Sequence, residues 1–296
     1  MIVITTPAGT IGHQVLENLL DSGEHLRLIA RDLSAISAGT RRGVEVIEGS
    51  HGDPAVVDKA FEGADAVFWL CPPDPRAASV EAAYVGFTRP AAEAFKKHGV
   101  KRVVGVSALG RGTPWAAHAG YVTASLAMDG LIAGTRVAYR ALANPSFMDN
   151  LAAQAGAIKN QGMFFSPIDG ERKLPSVATR DIAAAASRLL LDDSWSGFDE
   201  VPLLGPEDLS FNDMAGTISQ VLGKEVRFQQ ITFEAYKDRF TGFGMSDAMA
   251  QGMTDMAWAK NQGLDNAAAR TPANSTPTSF RQWCEEVLKP AVLEGQ

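Results

Sequence analysis

Short apolar runs alternate with helical hydrophobic patterns along the first half of the chain. The runs have the length and β-branched content typical of buried strands, and they span residues 2–4, 25–30, 44–47, 66–70, 103–106 and 136–141. Apolar residues at helical spacing predict a helix between Ile11 and Gly23, and further helices over residues 54–61, 79–97 and 116–133. This alternation predicts an α/β fold, a Rossmann doubly wound parallel sheet with right-handed crossovers.

The alternation becomes looser after about Asn150. Strands are predicted over residues 163–165, 200–204 and 225–231, and helices over 179–191, 211–222, 233–240, 246–261 and 280–288. Residues 267–278 are rich in Ala, Thr, Pro and Asn and are expected to form a loop. We therefore expect a smaller C-terminal α/β lobe that does not continue the regular repeat.

The turn after the first strand carries the clearest chemical signal. A strand, a glycine-containing turn and an amphipathic helix direct backbone N–H groups and the positive end of the helix at a phosphate. In the spacing Gly-x-x-Gly-x-x-Gly, Gly9 and Gly12 occupy the second and third places and Thr6 occupies the first. The segment predicts a dinucleotide site formed by Thr6, Ala8, Gly9, Thr10, Ile11 and Gly12.

Residues at the carboxyl ends of the next strands are expected to complete this site, because ligands of such sheets bind at that edge. Arg31 follows the second strand, where a cation favours the 2′-phosphate of NADP(H); the neighbouring Asp32 keeps NAD(H) as an alternative. The alternative for Arg31 is an ordinary arginine on the protein surface. Further cofactor contacts are expected from Ser50, after the third strand, and from Leu70, Cys71 and Pro72, after the fourth. Asp53 fits the N-cap of the next helix better than a contact to the adenine, and Cys71 fits a packed residue better than a nucleophile.

Catalytic candidates follow the fifth strand. Ser107 ends that strand and Tyr121 lies at the start of the next helix, an arrangement that resembles the proton-donor pair of short-chain dehydrogenases. The place of that family's lysine is taken by Ser125, which supplies no positive charge to lower the tyrosine pKa. Tyr121, Ser107 and Ser125 are therefore candidate catalytic residues, and Ser107 is also expected to contact the cofactor. Packing on the helix surface or in a substrate pocket is the alternative for Tyr121.

Several segments together resemble the NmrA-like, atypical branch of the short-chain dehydrogenase/reductase superfamily, including its triphenylmethane and quinone reductases. They are TTPAGTIG at 5–12, IARD at 29–32, VEVIEGSHGDP at 44–54, KKHGVKRVVGVSALG at 96–110, VAYRALANPSFMDNL at 137–151 and TSFRQWCEEV at 278–287. The resemblance implies a nucleotide-binding Rossmann domain at residues 1–150, a substrate lobe at 151–296 and a preference for NADPH. It also implies that Ala143, Asn144, Pro145 and Phe147 lie near the nicotinamide.

Three functions follow from these features. The first is an NADPH-dependent reductase of a hydrophobic conjugated or aromatic molecule (a quinone, enone, ketone or imine) by direct hydride transfer. The second is an NADP-binding redox sensor, and the third is a redox-neutral cyclase, dehydratase or isomerase. Aromatic residues and methionines of the C-terminal lobe favour the first function, although a packed core or a homodimer face explains them as well. These residues are Phe240, Phe243, Met245, Met249, Met253, Met256 and Trp258.

The composition and charge of the chain limit the partners and the cellular location that we expect. A net charge of −7 argues against a nucleic-acid partner, and the basic pairs Arg41-Arg42 and Lys96-Lys97 are expected on the surface. The apolar runs are too short to cross a membrane, and a strand at residue 2 leaves no room for a signal peptide, so we expect a cytoplasmic protein. No metal site is expected, because the five histidines lack paired ligand spacing.

Overall fold

The structure is a computed structural model that describes residues 1–37, 39–40 and 43–294. Twelve strands are described in these ranges. They are β1 (Ile2–Thr5), β2 (Leu26–Ala30), β3 (Glu45–Glu48), β4 (Ala66–Trp69), β5 (Arg102–Ala108), β6 (Ala138–Asn144), β7 (Ser146–Phe147), β8 (Met163–Ser166), β9 (Leu174–Val177), β10 (Phe198–Pro202), β11 (Asp208–Leu209) and β12 (Arg227–Gln230).

Eleven α-helices are described in the same ranges. They are α1 (Thr10–Leu19), α2 (Pro54–Phe61), α3 (Phe87–His98), α4 (Tyr121–Ala133), α5 (Ala155–Gln161), α6 (Thr179–Leu191), α7 (Phe211–Leu222), α8 (Phe233–Gly242), α9 (Asp247–Asn261), α10 (Phe280–Trp283) and α11 (Lys289–Glu294). None of the described helices combines the length and the hydropathy that crossing a bilayer requires. Lys96 and Lys97 are exposed as predicted, whereas the surface prediction for Arg41 and Arg42 lies outside the described residues.

Seven parallel strands form the main sheet, in the order β10-β6-β5-β4-β1-β2-β3. The order reverses between β1 and β4, as in other doubly wound sheets. The predicted Rossmann α/β fold is thus confirmed. Its candidate ligand site lies at the carboxyl edge, next to the reversal.

Both faces of this sheet are buried, which explains the continuous apolar runs. Successive side chains of a strand point to opposite faces. Ile2 and Ile4 accordingly pack with α1 and α6, whereas Val3 packs with α2, α3 and α4. The amino-terminal strand is therefore held in the centre of the molecule.

A second apolar core lies among the elements that follow β6. It joins side chains of α5, β8, α7 and α10, among them Ile158, Phe164, Ile218 and Trp283. The chain nevertheless returns to the main sheet within this half, because α6 packs on α1 and β10 pairs with β6. The division into residues 1–150 and 151–296 stays a prediction.

The predicted continuous helix over 116–133 is wrong in its first turn. A 3₁₀ turn spans Ala116–His118, and α4 begins only at Tyr121. Gly120 separates them with a φ of +52°, and a β-carbon there would lie 1.9 Å from the carbonyl oxygen of Gly252 in α9. The close approach of α9 therefore forces the break and makes Tyr121 the first residue of α4.

The predicted helix over 79–97 is also divided. A π-helical turn spans Ala82–Gly86, and α3 follows from Phe87 to His98. Gly99, in the left-handed conformation, ends α3. Pro90 lies in the first turn of α3 and has no N–H to donate to the preceding turn, which accounts for the irregularity there. Strands β7, β9 and β11 are too short or too irregular in pattern to have been predicted.

Candidate functional site

The turn between β1 and α1 forms a tight cradle. Thr6 adopts the left-handed conformation, with a φ of +52°, at the place where the glycine motif has its first glycine. The N–H of Gly9 donates to the carbonyl oxygen of Thr6 at 2.9 Å. A β-carbon on Gly12 would lie 2.1 Å from the same oxygen, so only glycine allows α1 to approach the turn. Gly12 thus has the packing role that its spacing predicts, while the role of Gly9 beside a pyrophosphate stays a prediction.

The amino end of α1 is open to a ligand. Gly9 is the N-cap residue, and no side chain caps the helix. Ala8, Gly9 and Thr10 are exposed, while Ile11 is buried in the core beneath them. Backbone N–H groups and the positive helix end therefore face outward, an arrangement that binds phosphate.

Arg31 and Asp32 follow β2 and differ in their surroundings. The Asp32 carboxylate accepts from the backbone N–H of Ser34 at 2.8 Å and from its hydroxyl at 2.6 Å, and these bonds lower the Asp32 pKa. Arg31 is exposed and has no hydrogen bond or ion pair with a described residue. Both bonds use Oδ1 of Asp32 and leave its Oδ2 unused, and the Arg31 guanidinium is available to a ligand.

Ser50 and Asp53 follow β3. The Ser50 hydroxyl accepts from the N–H of Gly52 at 3.2 Å. Asp53 caps α2 by accepting from the N–H groups of Ala55 and Val56, which is the structural role that the sequence favoured. Ser50 and Arg31 both lie at the carboxyl ends of their strands but do not line the cavity described next.

A cavity of about 830 Å³ opens at the carboxyl ends of β4, β5 and β6. The predicted cofactor residues Leu70, Cys71, Pro72, Ser107, Asn144, Pro145 and Phe147 line it, together with the catalytic candidates Tyr121 and Ser125. Ala143 is buried beside them without lining the cavity. The opposite wall comes from α8, α9 and neighbouring elements, through Tyr236, Phe240, Phe243, Met253 and Met256.

Other residues of the predicted aromatic and methionine set lie elsewhere. Met249 is fully buried, and Trp258 stacks edge-on against Trp115 at a ring-centroid distance of 5.5 Å. Met245 contacts the Tyr121 hydroxyl through its sulfur, at 3.9 Å. The methionine spacing along α9 is thus accounted for by the protein core and the cavity.

Cys71 and Tyr121 are poorly suited to ionise. Burial raises the pKa of the Cys71 thiol to about 12, and its sulfur donates to the carbonyl oxygen of Ala83 at 3.2 Å. Burial likewise raises the pKa of Tyr121 to about 12. Tyr121 is therefore a neutral phenol that can donate a hydrogen bond into the cavity, and Cys71 is the packed thiol that the sequence favoured.

A buried carboxylate behind this wall was not anticipated from the sequence. Asp129 of α4 is fully buried and accepts from the Ser107 hydroxyl at 2.5 Å, from the Tyr139 hydroxyl at 2.6 Å and from Arg111 at 3.2 Å. Burial is the largest influence on Asp129 and raises its pKa to about 6, against the effect of its donors. The available signal was Asp129 itself, an acid among the apolar residues of α4, eight residues after Tyr121.

Asn144 presents an unpartnered oxygen in the same wall. Its side-chain N–H₂ group donates to the carbonyl oxygens of Ser107 and Leu142, at 3.1 and 2.7 Å. Both amide hydrogens are therefore used, and the buried Oδ1 has no hydrogen-bond partner among the described residues. A buried acceptor without a partner is uncommon in folded proteins and distinguishes this part of the wall.

These observations fit an extended dinucleotide. The turn and α1 supply a diphosphate cradle, Arg31 supplies a cation, and the cavity begins at the adjacent strand ends. Thr5 ties the two regions together, because its hydroxyl donates to Phe68 and accepts from the N–H of Leu70. Among the residues that the structure describes, no group of three or more His, Cys, Asp or Glu side chains is placed to hold a metal ion.

Comparisons with known proteins agree with this geometry. The NAD(P)H azoreductase of Xenophilus azovorans is 29% identical over 256 residues, which are 86% of each chain. A crystal structure of an NADPH-dependent quinone oxidoreductase of Escherichia coli complexed with NADPH superposes with a TM-score of 0.78 at 22% identity, over 95% of this chain and 98% of that chain. The triphenylmethane reductase of a Citrobacter species, complexed with NADP(H), gives a TM-score of 0.77 at 20% identity over the full length of both chains.

These likenesses confirm the resemblance to the NmrA-like reductases drawn from the sequence. A family model described as NAD(P)H-binding also matches residues 8–193. This match covers the cradle from Ala8 onward, the ends of β2 to β6 and α4. The chain belongs to the NAD(P)H-binding family.

Proposed function

We propose that this protein is an NADPH-dependent reductase of a hydrophobic conjugated or aromatic small molecule, such as a quinone, enone, ketone or imine. The main support is the cavity of about 830 Å³, which joins the predicted cofactor edge to a wall of aromatic and methionine side chains. NADPH, when bound, supplies a hydride. Two relatives of this protein are an azoreductase and a quinone oxidoreductase, and azo compounds and quinones are conjugated acceptors.

The preference for NADPH over NADH is part of the proposal. Arg31 is exposed at the end of β2 and is unpaired among the described residues, so its guanidinium is free to bind a 2′-phosphate. Asp32, the residue that would bind a ribose hydroxyl in an NAD site, caps the following 3₁₀ turn through Oδ1, which accepts both hydrogen bonds from Ser34. The local charge pattern therefore favours NADP(H).

The cavity supports direct hydride transfer rather than acid–base catalysis. Tyr121 is a neutral phenol with a pKa of about 12, and Ser125 stands where a lysine would lower it. Asp129, whose pKa of about 6 is close to neutrality, is separated from the cavity by Ser107. An electron-poor conjugated acceptor suits such a site, because it needs to be held against the cofactor more than it needs to be protonated.

Phe240 and Phe243 belong to the wall that would hold such a substrate. Phe243 lines the cavity and is 84% exposed, so it lies at the rim. Arg239 also lines the cavity, where its guanidinium lies 5.1 Å from the centre of the Phe165 ring. These side chains offer stacking surfaces to a planar substrate and exclude water from it.

Consumption of NADPH with a set of acceptors tests the proposal. We expect quinones, azo dyes and cyclic enones to oxidise NADPH, and saturated aliphatic ketones to leave it unchanged. NADPH that binds saturably but is not consumed with any acceptor would favour the redox sensor. Absence of saturable binding of either pyridine nucleotide would favour the redox-neutral enzyme. The homodimer stays a prediction, to be tested by light scattering.

A further inference from the structure

Asp129 sets the direction of the hydroxyl protons in the cavity wall. The carboxylate accepts from Ser107 and Arg111 at Oδ2 and from Tyr139 at Oδ1. Arg111 also forms an ion pair with Glu200 at 2.7 Å, which holds its guanidinium in place. With a pKa of about 6 the carboxyl group is ionised at neutral pH and can only accept hydrogen bonds.

A hydroxyl has one proton, so the bond from Ser107 to Asp129 also fixes the direction of the hydrogen bond between Ser107 and Ser125. Ser107 uses its proton on Asp129, at an oxygen–oxygen distance of 2.5 Å. Ser107 and Ser125 lie 3.3 Å apart, and Ser125 must therefore be the donor in that contact. Both protons point away from the cavity, and lone pairs of the two oxygens remain for a ligand.

Asn144 has a buried acceptor next to these serines that is unpartnered among the described residues. Its amide hydrogens are both used on the carbonyl oxygens of Ser107 and Leu142, which leaves Oδ1 without a partner. Ser107, Ser125 and Asn144 all line the cavity and are each at least 95% buried. The two serine hydroxyls of this part of the wall therefore have lone pairs but no free proton, and Oδ1 of Asn144 is a further acceptor buried beside them.

We propose that Asp129 is a positioning residue that makes this wall a receptor for an N–H donor, namely the carboxamide N–H₂ group of the nicotinamide. The proposal rests on the proposed function. It assigns Ser107 and Ser125 to recognition of the cofactor rather than to polarising a substrate carbonyl, because neither hydroxyl has a proton to give. Asp129 itself acts through Ser107 and does not touch the ligand.

A matched pair of nucleotides tests the direction of these hydrogen bonds. NADP⁺ and its 3-acetylpyridine analogue differ only in that a methyl group replaces the carboxamide N–H₂ group. Isothermal titration calorimetry gives the dissociation constant of each, without any acceptor substrate. For the wild type we expect the analogue to bind about five- to twentyfold more weakly, the range for one or two lost hydrogen bonds in a buried site.

The decisive variant combines Asp129→Leu with Tyr139→Phe. Leucine removes the acceptor at similar size, and phenylalanine avoids leaving the Tyr139 hydroxyl buried without a partner. Ser107 is then free to turn its proton into the cavity, so we expect the preference for NADP⁺ over the analogue to fall to about twofold or less. Tyr139→Phe alone is the matched control, and it retains the wild-type ratio because Ser107 still donates to Asp129.

The possible results separate this proposal from the proposed function. Should the double variant be unable to fold, Ser107→Ala replaces it, and the same loss of preference is expected. An unchanged ratio in the double variant or in Ser107→Ala overturns the role of Asp129 while leaving NADPH binding and reduction intact. A wild type that binds neither nucleotide overturns both proposals.

Discussion

Gly12 approaches Thr6 so closely that a β-carbon on residue 12 would lie 2.1 Å from the carbonyl oxygen of Thr6. Relief of such a contact requires α1 to move away from β1, at the centre of the sheet. We expect Gly12→Ala to lower the free energy of unfolding by about 2–4 kcal/mol. We also expect the dissociation constant for NADPH to rise more than about tenfold, because the helix end and the turn separate. Urea unfolding and calorimetry measure the two effects.

Gly216 provides the matched control for this substitution. It is exposed in the middle of α7, and an added β-carbon there meets nothing within 4 Å. Gly216→Ala should therefore raise the free energy of unfolding by about 0.5–1 kcal/mol through helix propensity alone. Equal stability of the two alanine variants would show that Gly12 has room for a side chain.

Thr6 is strained in the position of the motif's first glycine. A β-branched residue at a φ of +52° costs about 1–2 kcal/mol, and the buried Thr6 hydroxyl has no hydrogen-bond partner in the part of the chain that the structure describes. We therefore expect Thr6→Gly to raise the free energy of unfolding by about 1 kcal/mol and to leave NADPH binding intact. Arg136→Gly, at a φ of +67° on the surface, is the control for strain relief away from the cradle. A destabilised Thr6→Gly protein would mean that the threonine side chain supports the turn.

Removal of Arg31 tests the choice of cofactor. If its guanidinium binds the 2′-phosphate, Arg31→Ala should raise the dissociation constant for NADPH by about 10- to 100-fold, the range for a charge-assisted hydrogen bond. Binding of NADH, which has no 2′-phosphate, should change less than about twofold. The control is Arg89→Ala, which removes an exposed arginine of α3 that does not line the cavity. Equal losses for NADPH and NADH in Arg31→Ala would contradict this role.

Removal of the Tyr121 hydroxyl tests the mechanism. A proton-transferring tyrosine contributes about 10²–10⁴-fold to the rate, and its substitution would abolish most activity. With a pKa of about 12, the Tyr121 phenol offers only a neutral hydrogen bond. We therefore expect Tyr121→Phe to lower kcat/KM for a quinone by less than about tenfold. A loss beyond about 100-fold, with the fold intact by circular dichroism, would restore the acid–base mechanism.

The sequence predicted the framework of the site because strand, turn and helix signals are local. The run at Ile2–Ile4, the glycines at 9 and 12 and the cap at Asp53 each depend on neighbours within a few residues. The position of Arg31 at a strand end followed from the same local reasoning. These features belong to the part of the chain where βαβ units repeat.

The wall behind the cavity depends instead on distant contacts. Gly120 breaks a predicted helix only because α9 lies against it, and Gly252 is 132 positions further along the chain. Asp129 becomes a partner of Ser107 and Tyr139 only after β5, β6 and α4 have packed together. The sequence of α4 shows only one acid among apolar residues, and this pattern does not indicate the role of Asp129.

His51 and Asp129 should affect stability at acid pH in opposite directions. Burial lowers the pKa of His51 to about 4, and its ring is enclosed by Trp69 and Phe87 while Nε2 contacts the carbonyl oxygen of Leu70. The unfolded chain thus binds a proton that the folded protein excludes between about pH 6.5 and 4. The His51 contribution to stability, about 3 kcal/mol, is present above this range and lost as the pH falls through it.

The contribution of Asp129 to stability depends on pH in the opposite direction. Its folded pKa is raised from 3.8 to about 6 by burial, with Ser107, Tyr139 and Arg111 opposing the shift and Glu200 adding to it. The folded protein therefore binds a proton that the unfolded chain releases, so its contribution is fully present below about pH 4 and is lost as the pH rises through 6. A shift of about two pKa units corresponds to about 3 kcal/mol.

The two contributions nearly cancel in the wild type, and substitutions should reveal each of them. Relative to the wild type, Asp129→Asn should lose stability as the pH falls from about 7 to 4, and His51→Gln should gain it, each by about 2–3 kcal/mol. Urea unfolding at several pH values in this range measures the free energy of unfolding of each protein. Subtracting the wild-type value from that of each variant cancels the contribution of the other carboxyl groups, which titrate in both proteins. Differences that do not vary with pH would mean that both groups titrate in the folded protein as they do in the unfolded chain. His51 would then be in contact with water, and the Asp129 carboxylate would be stabilised by its three donors as much as burial destabilises it.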